Sequence, residues 1–405
     1  MNISAENGSF LGGIRVLDLA DEKVSFCSKL LADMGACVIK VEKPGGDTSR
    51  NIGPFWKDLP HPERSLSFWY HNTNKLGITL NLKKSAGREI FRRLVKRTDI
   101  VVETFLPGYL KDIGLGFEAL SEINPKLILL SVTGFGQNGP RKNYQSCDLL
   151  ASAVGGQMYV TGSPSTPPLK SFGEQSYYAA SLFAAIGALL ALRKRKQSGK
   201  GEHVDISLQE AVTSTLEHVL VRYLYDHIIP KRQGSRSWNN EFCIVPCKDG
   251  FIQLTLFQQW ETLIEWMASE GMAEDLADEK WSNEEYRRQN HDQILEVVKR
   301  WSETHTTSEL FEMGQLMRFP WAPVCASKEV IESPHLKARG FFGAMGHPEI
   351  KVSLKYPGLP VKFKPSLKES RKRAPLIGEH NTRVFQGELG LAKKKIKSLS
   401  STGAI

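Results

Sequence analysis

The chain has 405 residues, more than one hydrophobic core usually accommodates, so we expect two domains. A hydrophobic fraction of 41% with 24% charged residues is ordinary for a soluble globular enzyme. The net charge of +9 suits an anionic partner: a nucleic acid, a membrane surface or a phosphorylated ligand. Because no helix-turn-helix, zinc-finger or RNP pattern accompanies the basic runs, we expect no nucleic-acid partner.

The cysteines, the first residues and the apolar runs argue against a disulfide framework, a metal site and a membrane span. The six cysteines are scattered, and the pair Cys243 and Cys247 has no histidine or second pair beside it. The first residues lack the basic and apolar regions of a signal peptide. The longest apolar run, 179–192, is short for a bilayer and predicts a buried helix. We therefore expect a cytoplasmic protein with neither a bound metal nor membrane association.

Strand-like and helix-like segments alternate along the first two hundred residues. The predicted elements in chain order are a strand at 14–19, a helix at 26–34 ended by Gly35, a strand at 37–41, a helix at 85–97, and strands at 99–103 and 126–132. This alternation predicts an α/β fold with a mostly parallel sheet covered by helices. Ligands of such sheets bind in the loops that follow the strands.

The second half of the chain has a different texture. It contains a linker-like stretch at 230–240, a strand-like run at 250–256, charged amphipathic helices over 259–317 and a short predicted strand at 361–364. We interpret residues 226–334 as a smaller α+β domain. Residues 1–225 and 335–405 then form one large domain built from both ends of the chain.

Three loops that follow predicted strands carry the distinctive residues of the large domain. They are Lys43–Asp47 with Arg50 just beyond, Thr104–Gly108, and Thr133–Pro140. The glycines of the third loop formally match the dinucleotide fingerprint, but Pro140 and a polar stretch follow where an apolar helix is required. We expect these glycines to let the backbone approach an extended ligand closely.

Glu174 stands just ahead of a small, apolar, helix-forming run at 176–192. A carboxylate there is expected to face the free N–H groups of the first helical turn, which favour its ionised form. A favourable charge at a helix start explains this residue without any catalytic role. The alternative is a nucleophilic carboxylate, and the rest of the chain decides between the two.

Segments in order along nearly the whole chain resemble the class III CoA-transferases of the CaiB/BaiF type. The matching segments are Arg15–Leu19, Leu30–Ala36, Val38–Glu42, Gly46 and Asp47, Arg50, Asn74 and Lys75, Pro107 and Gly108, Gly114–Gly116, Asn124 and Pro125, Gly134–Pro140, Gly199–Gly201, Val204 and Asp205, and Ala374–His380. The resemblance implies a large Rossmann-like domain from both chain ends with a smaller domain inserted between them. It also implies that two subunits interlock like links of a chain.

The resemblance implies that coenzyme A lies against the loops of the large domain, as a substrate and not as a permanent cofactor. Residues expected to contact it are Lys43, Arg50 and Lys75 near its phosphates, Thr104 and Phe105 beside its adenosine, and Gly134 and Gly136 in the glycine-rich loop. Lysine suits a phosphate by its charge, and arginine by its bidentate geometry. Solvated surface cations are the plain alternative for each of the three basic residues.

In this family an Asp carboxylate attacks the acyl-CoA thioester and forms a mixed anhydride, which the CoA thiolate converts into an enzyme-bound thioester that the acceptor acid attacks. The resemblance places Glu174 at the sequence position of that Asp. One added methylene moves the carboxylate by roughly an ångström, and such a misplacement can cost about a hundredfold in rate. The role of Glu174 as the catalytic residue is therefore in doubt.

Three further departures from the family pattern narrow the set of expected reactions. Where most members have a small turn after the first strand, this chain has the charged Asp21–Lys23, and where the racemase branch has a histidine it has Cys147. Without that histidine we expect no racemisation. The glycine-rich loop of the formyl-CoA branch is also missing, its region reading Gly234–Asn240, which disfavours oxalate as a substrate.

The pattern is similar to the E-type subunit of succinyl-CoA:(R)-benzylsuccinate CoA-transferase and to its naphthylmethylsuccinate relatives in anaerobic aromatic degradation. In those enzymes two homologous subunits pair, and the usual Asp is expected in the partner. Three hypotheses follow: a subunit of a hetero-oligomer, a self-sufficient transferase that uses Glu174, and a CoA-binding homologue without catalysis. An aromatic acceptor pocket could be formed by Trp56, Phe68, Trp69 and Tyr70, which could equally belong to a core.

Overall fold

The computed structural model describes residues 9–237, 242–363 and 371–405. The end of the predicted linker, 238–240, and Lys364 of a predicted strand lie outside these residues. The described residues of Met1–Gln157, Lys170–Asp226 and Gly340–Ile405 form a first compact unit. Those of Met158–Leu169 and His227–Arg339 form a second. The second unit thus includes 158–169, which the sequence assigned to the large domain.

A parallel sheet lies at the centre of the first unit. Its strands are β1 (Arg15–Asp18), β2 (Cys37–Glu42), β3 (Leu76–Thr79), β4 (Ile100–Glu103), β5 (Ile128–Thr133) and β6 (His203–Ser207). In the described part of the chain these six strands stand in the order β3-β2-β1-β4-β5-β6, and every pairing is parallel. The predicted α/β fold is confirmed, and this strand order is that of the Rossmann fold.

Burial on both faces explains why the central strands were visible in the sequence. Every residue of β4 and β5 is buried, so both strands are nearly continuous runs of Ile, Leu and Val. The two edge strands were missed. β3 is short and contains Gly77, and β6 alternates exposed with half-buried residues, so neither has the apolar run of a central strand.

Helices cover both faces of this sheet. The helices in the first 226 residues are α1 (Ser25–Asp33), α2 (Leu66–His71), α3 (Ser85–Val95), α4 (Tyr109–Asp112), α5 (Phe117–Ile123), α6 (Asp148–Val154), α7 (Gln157–Val160), α8 (Gln175–Ser198), α9 (Leu208–Thr213) and α10 (Glu217–Asp226), and residues 158–160 of α7 belong to the second unit. One face is buried by α1, α6, α8 and α9, and the other by α3 and α5.

The helix α8 is longer than the predicted 176–192, with 24 residues that end at Ser198 and are followed by Gly199 in the left-handed conformation. By length and composition it could cross a membrane, and half of its most apolar stretch is buried in the protein. The buried face carries small residues, among them Ala180, Ala184 and Ala188. The larger apolar side chains of the helix point outward, an inversion of the usual pattern.

The second unit contains an antiparallel sheet and a helical layer. Its strands, in the order β10-β9-β8-β7, are β7 (Arg236–Ser237), β8 (Phe242–Pro246), β9 (Phe251–Thr255) and β10 (Ala322–Pro323). Its helices are α11 (Trp260–Ser269), α12 (Glu284–Gln289), α13 (His291–Ser302), α14 (Thr307–Leu316), α15 (Ser327–Glu332) and α16 (Pro334–Ala338). Buried tryptophans, including Trp281, Trp301 and Trp321, fill its core.

The C-terminal part of the chain completes the first unit. A hairpin of β11 (Phe342–His347) and β12 (Val352–Pro357) is followed by α17 (Lys393–Ser401). The predicted strand at 361–364 is wrong for residues 361–363, which form no strand. The pairing of β12 with β11 ends at Pro357, and Gly358 and Pro360 follow, so the chain has left the hairpin before residue 361.

Candidate active site

The carboxyl ends of β1 and β4 lie side by side in the sheet, where the strand order reverses. The loop that follows each strand meets the other there, since the Asp21 N–H donates to Thr104 Oγ1 at 3.0 Å. Ligands of open α/β sheets bind at this switch point. Asp21 also forms an ion pair with Lys23, so two of the three charged residues that distinguish this loop neutralise each other.

A second element of the site is the start of α8, where Glu174 is the N-cap residue. Its carboxylate accepts no hydrogen bond from the first turn within the described residues. Asp148, at the start of α6, caps the helix in its place: Oδ1 accepts from the Ser176 N–H at 2.9 Å and from Ser176 Oγ at 2.6 Å. The expectation that the helix start holds the Glu174 carboxylate is therefore wrong, because another carboxylate already occupies that position.

Lys170 is the cation closest in sequence to Glu174, and it is engaged elsewhere. Its Nζ lies 2.7 Å from Asp148 Oδ2 and also donates to the carbonyl oxygens of Ser171 and Gly173. In the described ranges no ion pair involves Glu174. The side chain that resembles the family's nucleophile thus stands half-buried without a counter-ion.

The electrostatic surroundings of Glu174 disfavour its charge. Burial raises the pKa of the Glu174 carboxyl, and the neighbouring carboxylates of Asp148 and Glu22 raise it further, while Lys170 opposes them. Burial also raises the pKa of Glu22, with the charge of Asp21 as the next cause. Two carboxyls that share one partly buried space cannot both ionise freely. Sequence reasoning noted Glu22 as extra charge but did not place it beside Glu174.

Lys75, expected near the phosphates of coenzyme A, lies inside the protein with 2% of its surface exposed. Its Nζ donates to Asp18 Oδ2 at 2.9 Å, Ser28 Oγ at 2.8 Å, Asn72 Oδ1 at 2.9 Å and the Ser25 carbonyl oxygen at 3.1 Å. Burial lowers the pKa of Lys75 to about 8. A phosphate contact would require this ammonium to leave acceptors that already surround it.

Arg50 is buried to the same degree. Its guanidinium pairs with both carboxylate oxygens of Glu42, at 2.6 and 2.8 Å, and with Glu63 at 2.7 Å. It also donates to the Pro375 carbonyl oxygen at 2.9 Å and lies 3.8 Å from the centre of the Phe68 ring. The bidentate geometry expected for a phosphate is therefore used on a carboxylate of the protein.

The other expected contacts are on the surface of the loops. Lys43 is exposed directly after β2, and Thr104 and Phe105 are half-buried directly after β4. The Phe105 ring packs against Tyr109 with 4.7 Å between the ring centres, and the Phe105 N–H donates to Glu103 Oε2 at 2.7 Å. Because parallel strands end at one edge, these loops lie at the same edge of the sheet.

Glu103 is a residue that sequence reasoning missed as part of this edge. It is 4% exposed, and burial raises the pKa of its carboxyl to about 7. Its hydrogen bond to Phe105 fixes the backbone of the loop that it precedes. The signal was available, since an acid ends an otherwise apolar strand in Ile100–Glu103.

The glycines after β5 serve the chain's own packing. A Cβ at Gly134 would lie 2.3 Å from the Cβ of Ser146, so the close approach at this position is to another part of the same chain. Gly136 has φ +83°, a left-handed conformation that favours glycine, and its neighbour Gln137 donates its N–H to Asp205 at 2.9 Å.

Two aromatic groups flank the site. Phe68 and Trp69 are buried with Met345 and Tyr356, with Trp56 packed against them, so this group is core. A separate, half-buried group lies beside the start of α8 and consists of Phe26, Tyr70, His71 and Tyr178, with 4.9 Å between the ring centres of Phe26 and Tyr178. Of the four residues named from the sequence, Tyr70 alone belongs to it.

Comparisons with known proteins identify the family of the chain. Residues 11–381 match the family described as CoA-transferase family III. The chain is 32% identical, over 98% of both sequences, to the succinyl-CoA:(R)-benzylsuccinate CoA-transferase subunit BbsE of Thauera aromatica. It is also 32% identical, over 98% of both, to the succinyl-CoA–L-malate CoA-transferase beta subunit of Chloroflexus aurantiacus.

A solved structure agrees with both the fold and the family. The crystal structure of a CaiB/BaiF family protein from Brucella suis superposes with a TM-score of 0.85 at 28% identity, covering 94% of this chain and 99% of that one. The resemblance drawn from the sequence motifs is confirmed, as is acyl-CoA as the substrate of the family. The chain belongs to CoA-transferase family III and is a CoA-transferase.

Proposed function

We propose that this chain is one subunit of a hetero-oligomeric CoA-transferase that moves CoA between succinyl-CoA and a succinate-type acid, with an aryl-substituted succinate as the favoured acceptor. In this proposal a homologous partner subunit supplies the main nucleophilic Asp. The observation that carries it is the state of Glu174, which stands at the nucleophile position beside two carboxylates and without a counter-ion.

Charge explains why such a site suits a supporting subunit. A nucleophilic carboxylate must be ionised to attack a thioester, and the acceptor acid that follows is itself an anion. Asp148 and Glu22 oppose both requirements, and the ammonium of Lys170 is committed to Asp148. A site that repels its own nucleophile's charge and an anionic acceptor is poorly suited to turnover.

The outer face of α8 supports a partner subunit. Large apolar side chains are exposed along it: Leu182 (50%), Phe183 (39%), Ile186 (53%), Leu189 (38%) and Leu190 (61%). A continuous apolar face of this kind marks a protein interface more often than a free surface. The relatives named as the BbsE subunit and the beta subunit belong to enzymes with more than one kind of subunit by their names.

For coenzyme A we propose the loops at the carboxyl edge of the sheet. Lys43 is placed to meet a phosphate, and Thr104 and Phe105 to meet the adenosine, beside the loop of Gly134 and Gly136. Arg50 and Lys75 hold the backbone beneath these loops, since both side chains are buried in internal pairs. The half-buried aromatic group beside Glu174 supports an aryl-bearing acceptor. The cytoplasmic location and a role in anaerobic aromatic degradation stay predictions.

A second candidate is a self-sufficient transferase that uses Glu174. A half-buried carboxylate at a helix start has the exposure that a nucleophile needs. In that case a Glu174 oxygen attacks the thioester carbonyl, the C–S bond breaks, and the CoA thiolate leaves with the bonding electron pair. The product is a mixed anhydride on Glu174. The thiolate then attacks its glutamyl carbonyl carbon, the bond to the bridging oxygen breaks, and succinate leaves as a carboxylate, which gives a glutamyl-CoA thioester.

The experiment is peptide mass spectrometry after incubation with succinyl-CoA, followed by trapping with hydroxylamine. It is run on this chain alone and with any homologue that co-purifies, with Glu174→Gln as the matched control. We expect the adduct on an Asp of the homologue and an unmodified Glu174. An adduct on Glu174 in the chain alone would make the self-sufficient candidate correct. CoA binding without an adduct on either protein would leave a CoA-binding homologue without catalysis.

A further inference from the structure

The first turn of α8 is fixed by a residue of a different helix. Asp148, 5% exposed at the start of α6, accepts the Ser176 N–H and the Ser176 hydroxyl with Oδ1. The backbone N–H of Asp148 in turn donates to the hydroxyl of Tyr177 at 3.1 Å. The two helix starts are therefore joined by four hydrogen bonds. Oδ1 of Asp148 accepts two from Ser176, the Asp148 carbonyl oxygen accepts a longer one from the Ser176 hydroxyl at 3.4 Å, and the Asp148 N–H donates the fourth in the opposite direction.

The segment before α8 is fixed by the same carboxylate through a cation. Lys170 Nζ pairs with Asp148 Oδ2 at 2.7 Å and donates to the carbonyl oxygens of Ser171 and Gly173. The ammonium of Lys170 therefore holds the backbone of residues 170–173 in place. Residue 174 follows directly, so its backbone is held on one side by the loop and on the other by the capped helix.

The side chain of Glu174 is left out of this arrangement. Its charged neighbours are Asp148 from α6, Glu22 from the loop after β1 and Lys170 from the preceding loop. Tyr177 and Tyr178 of its own helix feel its charge as well. Lys170 forms its ion pair with Asp148 and donates to two carbonyl oxygens, and within the described residues it forms no ion pair with Glu174.

We propose that Asp148 and Lys170 are positioning residues that form a clamp, which fixes the backbone of residue 174 at the start of α8 and withholds the Lys170 ammonium from the Glu174 carboxylate. The clamp rests on the proposed function in one respect, that position 174 belongs to the acyl-transfer site. The effect of the clamp on Glu174 is a change in how readily its carboxyl ionises, which can be measured without catalytic turnover.

The test is the pH dependence of Glu174 labelling in the full chain. A water-soluble carbodiimide and an amine label carboxyl groups in their protonated form, and peptide mass spectrometry gives the pH midpoint for Glu174. Glu89, whose side chain is 67% exposed, serves as the reference carboxyl in the same samples. The variants are Asp148→Asn and Lys170→Met, with Ser176→Ala as a control that removes one hydrogen bond and no charge.

The two variants are expected to move the midpoint in opposite directions. Asp148→Asn keeps an oxygen for the Ser176 N–H but removes a neighbouring anion and releases Lys170, so the midpoint falls by about one pH unit. Lys170→Met keeps the cap and removes the opposing cation, so the midpoint rises by a few tenths of a pH unit, on the order expected for a partly exposed pair. Ser176→Ala leaves the midpoint unchanged.

Shifts in the same direction, or no shift in either folded variant, would overturn the proposal. Far-UV circular dichroism and thermal unfolding establish that each variant is folded. Hydrogen exchange in the unmodified chain gives an independent measurement, because rapid exchange of the Ser176 amide would show that no cap exists. Failure to find an acyl adduct on any subunit would instead contradict the proposed function and leave the labelling result intact.

Discussion

Lys75 and Glu174 are ionisable residues of one fold with opposite surroundings. Lys75 is enclosed and donates to four acceptors, among them the carboxylate of Asp18. Glu174 is half-buried, its side chain forms no capping hydrogen bond at the start of α8, and it stands beside two further carboxylates. Arg50 resembles Lys75 in this respect, since Glu42 and Glu63 take up its guanidinium.

The different surroundings of Lys75 and Glu174 indicate that charged side chains have two different roles in this protein. A charge whose partners are all internal holds loops together, and its loss leaves the partner buried without compensation. A charge without a partner is costly to the fold and available to chemistry or to another subunit. Motif resemblance alone placed both kinds in the site, and the contacts assign them different tasks.

The largest effect is expected from removing the enclosed cation. Lys75→Met leaves the buried Asp18 carboxylate with Lys40, at 3.9 Å, as its remaining cation among the described residues, and we expect the free energy of unfolding to fall by about 3 to 5 kcal/mol. Urea unfolding at pH 7 measures it. The exposed Lys43→Met is the matched control, with a change within about 0.5 kcal/mol. A loss below about 1 kcal/mol for Lys75→Met would contradict the contrast drawn between the enclosed Lys75 and the unpaired Glu174.

The next effect concerns the length of the unpaired acid. Glu174→Asp withdraws the carboxylate by one methylene, toward the position that the family's nucleophile occupies. We expect the yield of trapped adduct from succinyl-CoA in the chain alone to rise by about a hundredfold. An unchanged yield would show that the surrounding carboxylates, rather than the side-chain length, silence this position.

The third effect concerns the pH dependence of stability, and it tests His71, an uncharged titratable residue beside both Lys75 and Glu174. Burial lowers the pKa of His71 to about 4, and its Nε2 lies 3.1 Å from the Tyr178 hydroxyl. Between pH 6.5 and 4 the unfolded chain therefore binds a proton that the folded one does not, so stability falls as the pH falls. His71→Gln should remove about 2 kcal/mol of the loss between pH 7 and pH 5, measured by urea unfolding at both values. Equal losses in the two proteins would mean that His71 titrates normally.

The smallest effect belongs to the exposed cation after β2. Lys43→Ala should weaken CoA binding by about threefold to fivefold, because a solvated charge contributes little, and the difference should shrink at high salt. Isothermal titration calorimetry at two salt concentrations measures both. Unchanged affinity would place the phosphates away from the loop after β2 and leave Lys43 as a plain surface residue.

The sheet could be predicted because its central strands are buried on both faces, which forces continuous apolar runs such as Ile128–Thr133. The edge strand β6 could not, since one side of it meets solvent and its residues alternate. The full length of α8 was missed for a related reason. Polar and charged residues at both its ends continue a helix that ends only at Gly199.

The site could be predicted by position but not by contact. Glu174 was identified from its place before a helix, and Lys75 from its motif. Their surroundings depend on residues far along the chain: Lys75 pairs with Asp18, 57 positions away, and Ser176 with Asp148, 28 positions away. A lysine in a loop looks the same in the sequence whether its ammonium is exposed to solvent or pairs with a buried carboxylate.

The packing of the central sheet also limits the order in which the two units can complete their folding during synthesis. Val384, Phe385 and Leu399 are buried in the same cluster as Leu17, Leu129 and the inner face of α3. At ordinary translation rates the ribosome needs on the order of ten seconds to a minute to travel from β5 to α17. Until then α3 and α5 cover only part of that face of the sheet. The second unit, whose segments lie within this interval, can close its own core first, so the part of the chain that starts earliest is completed last.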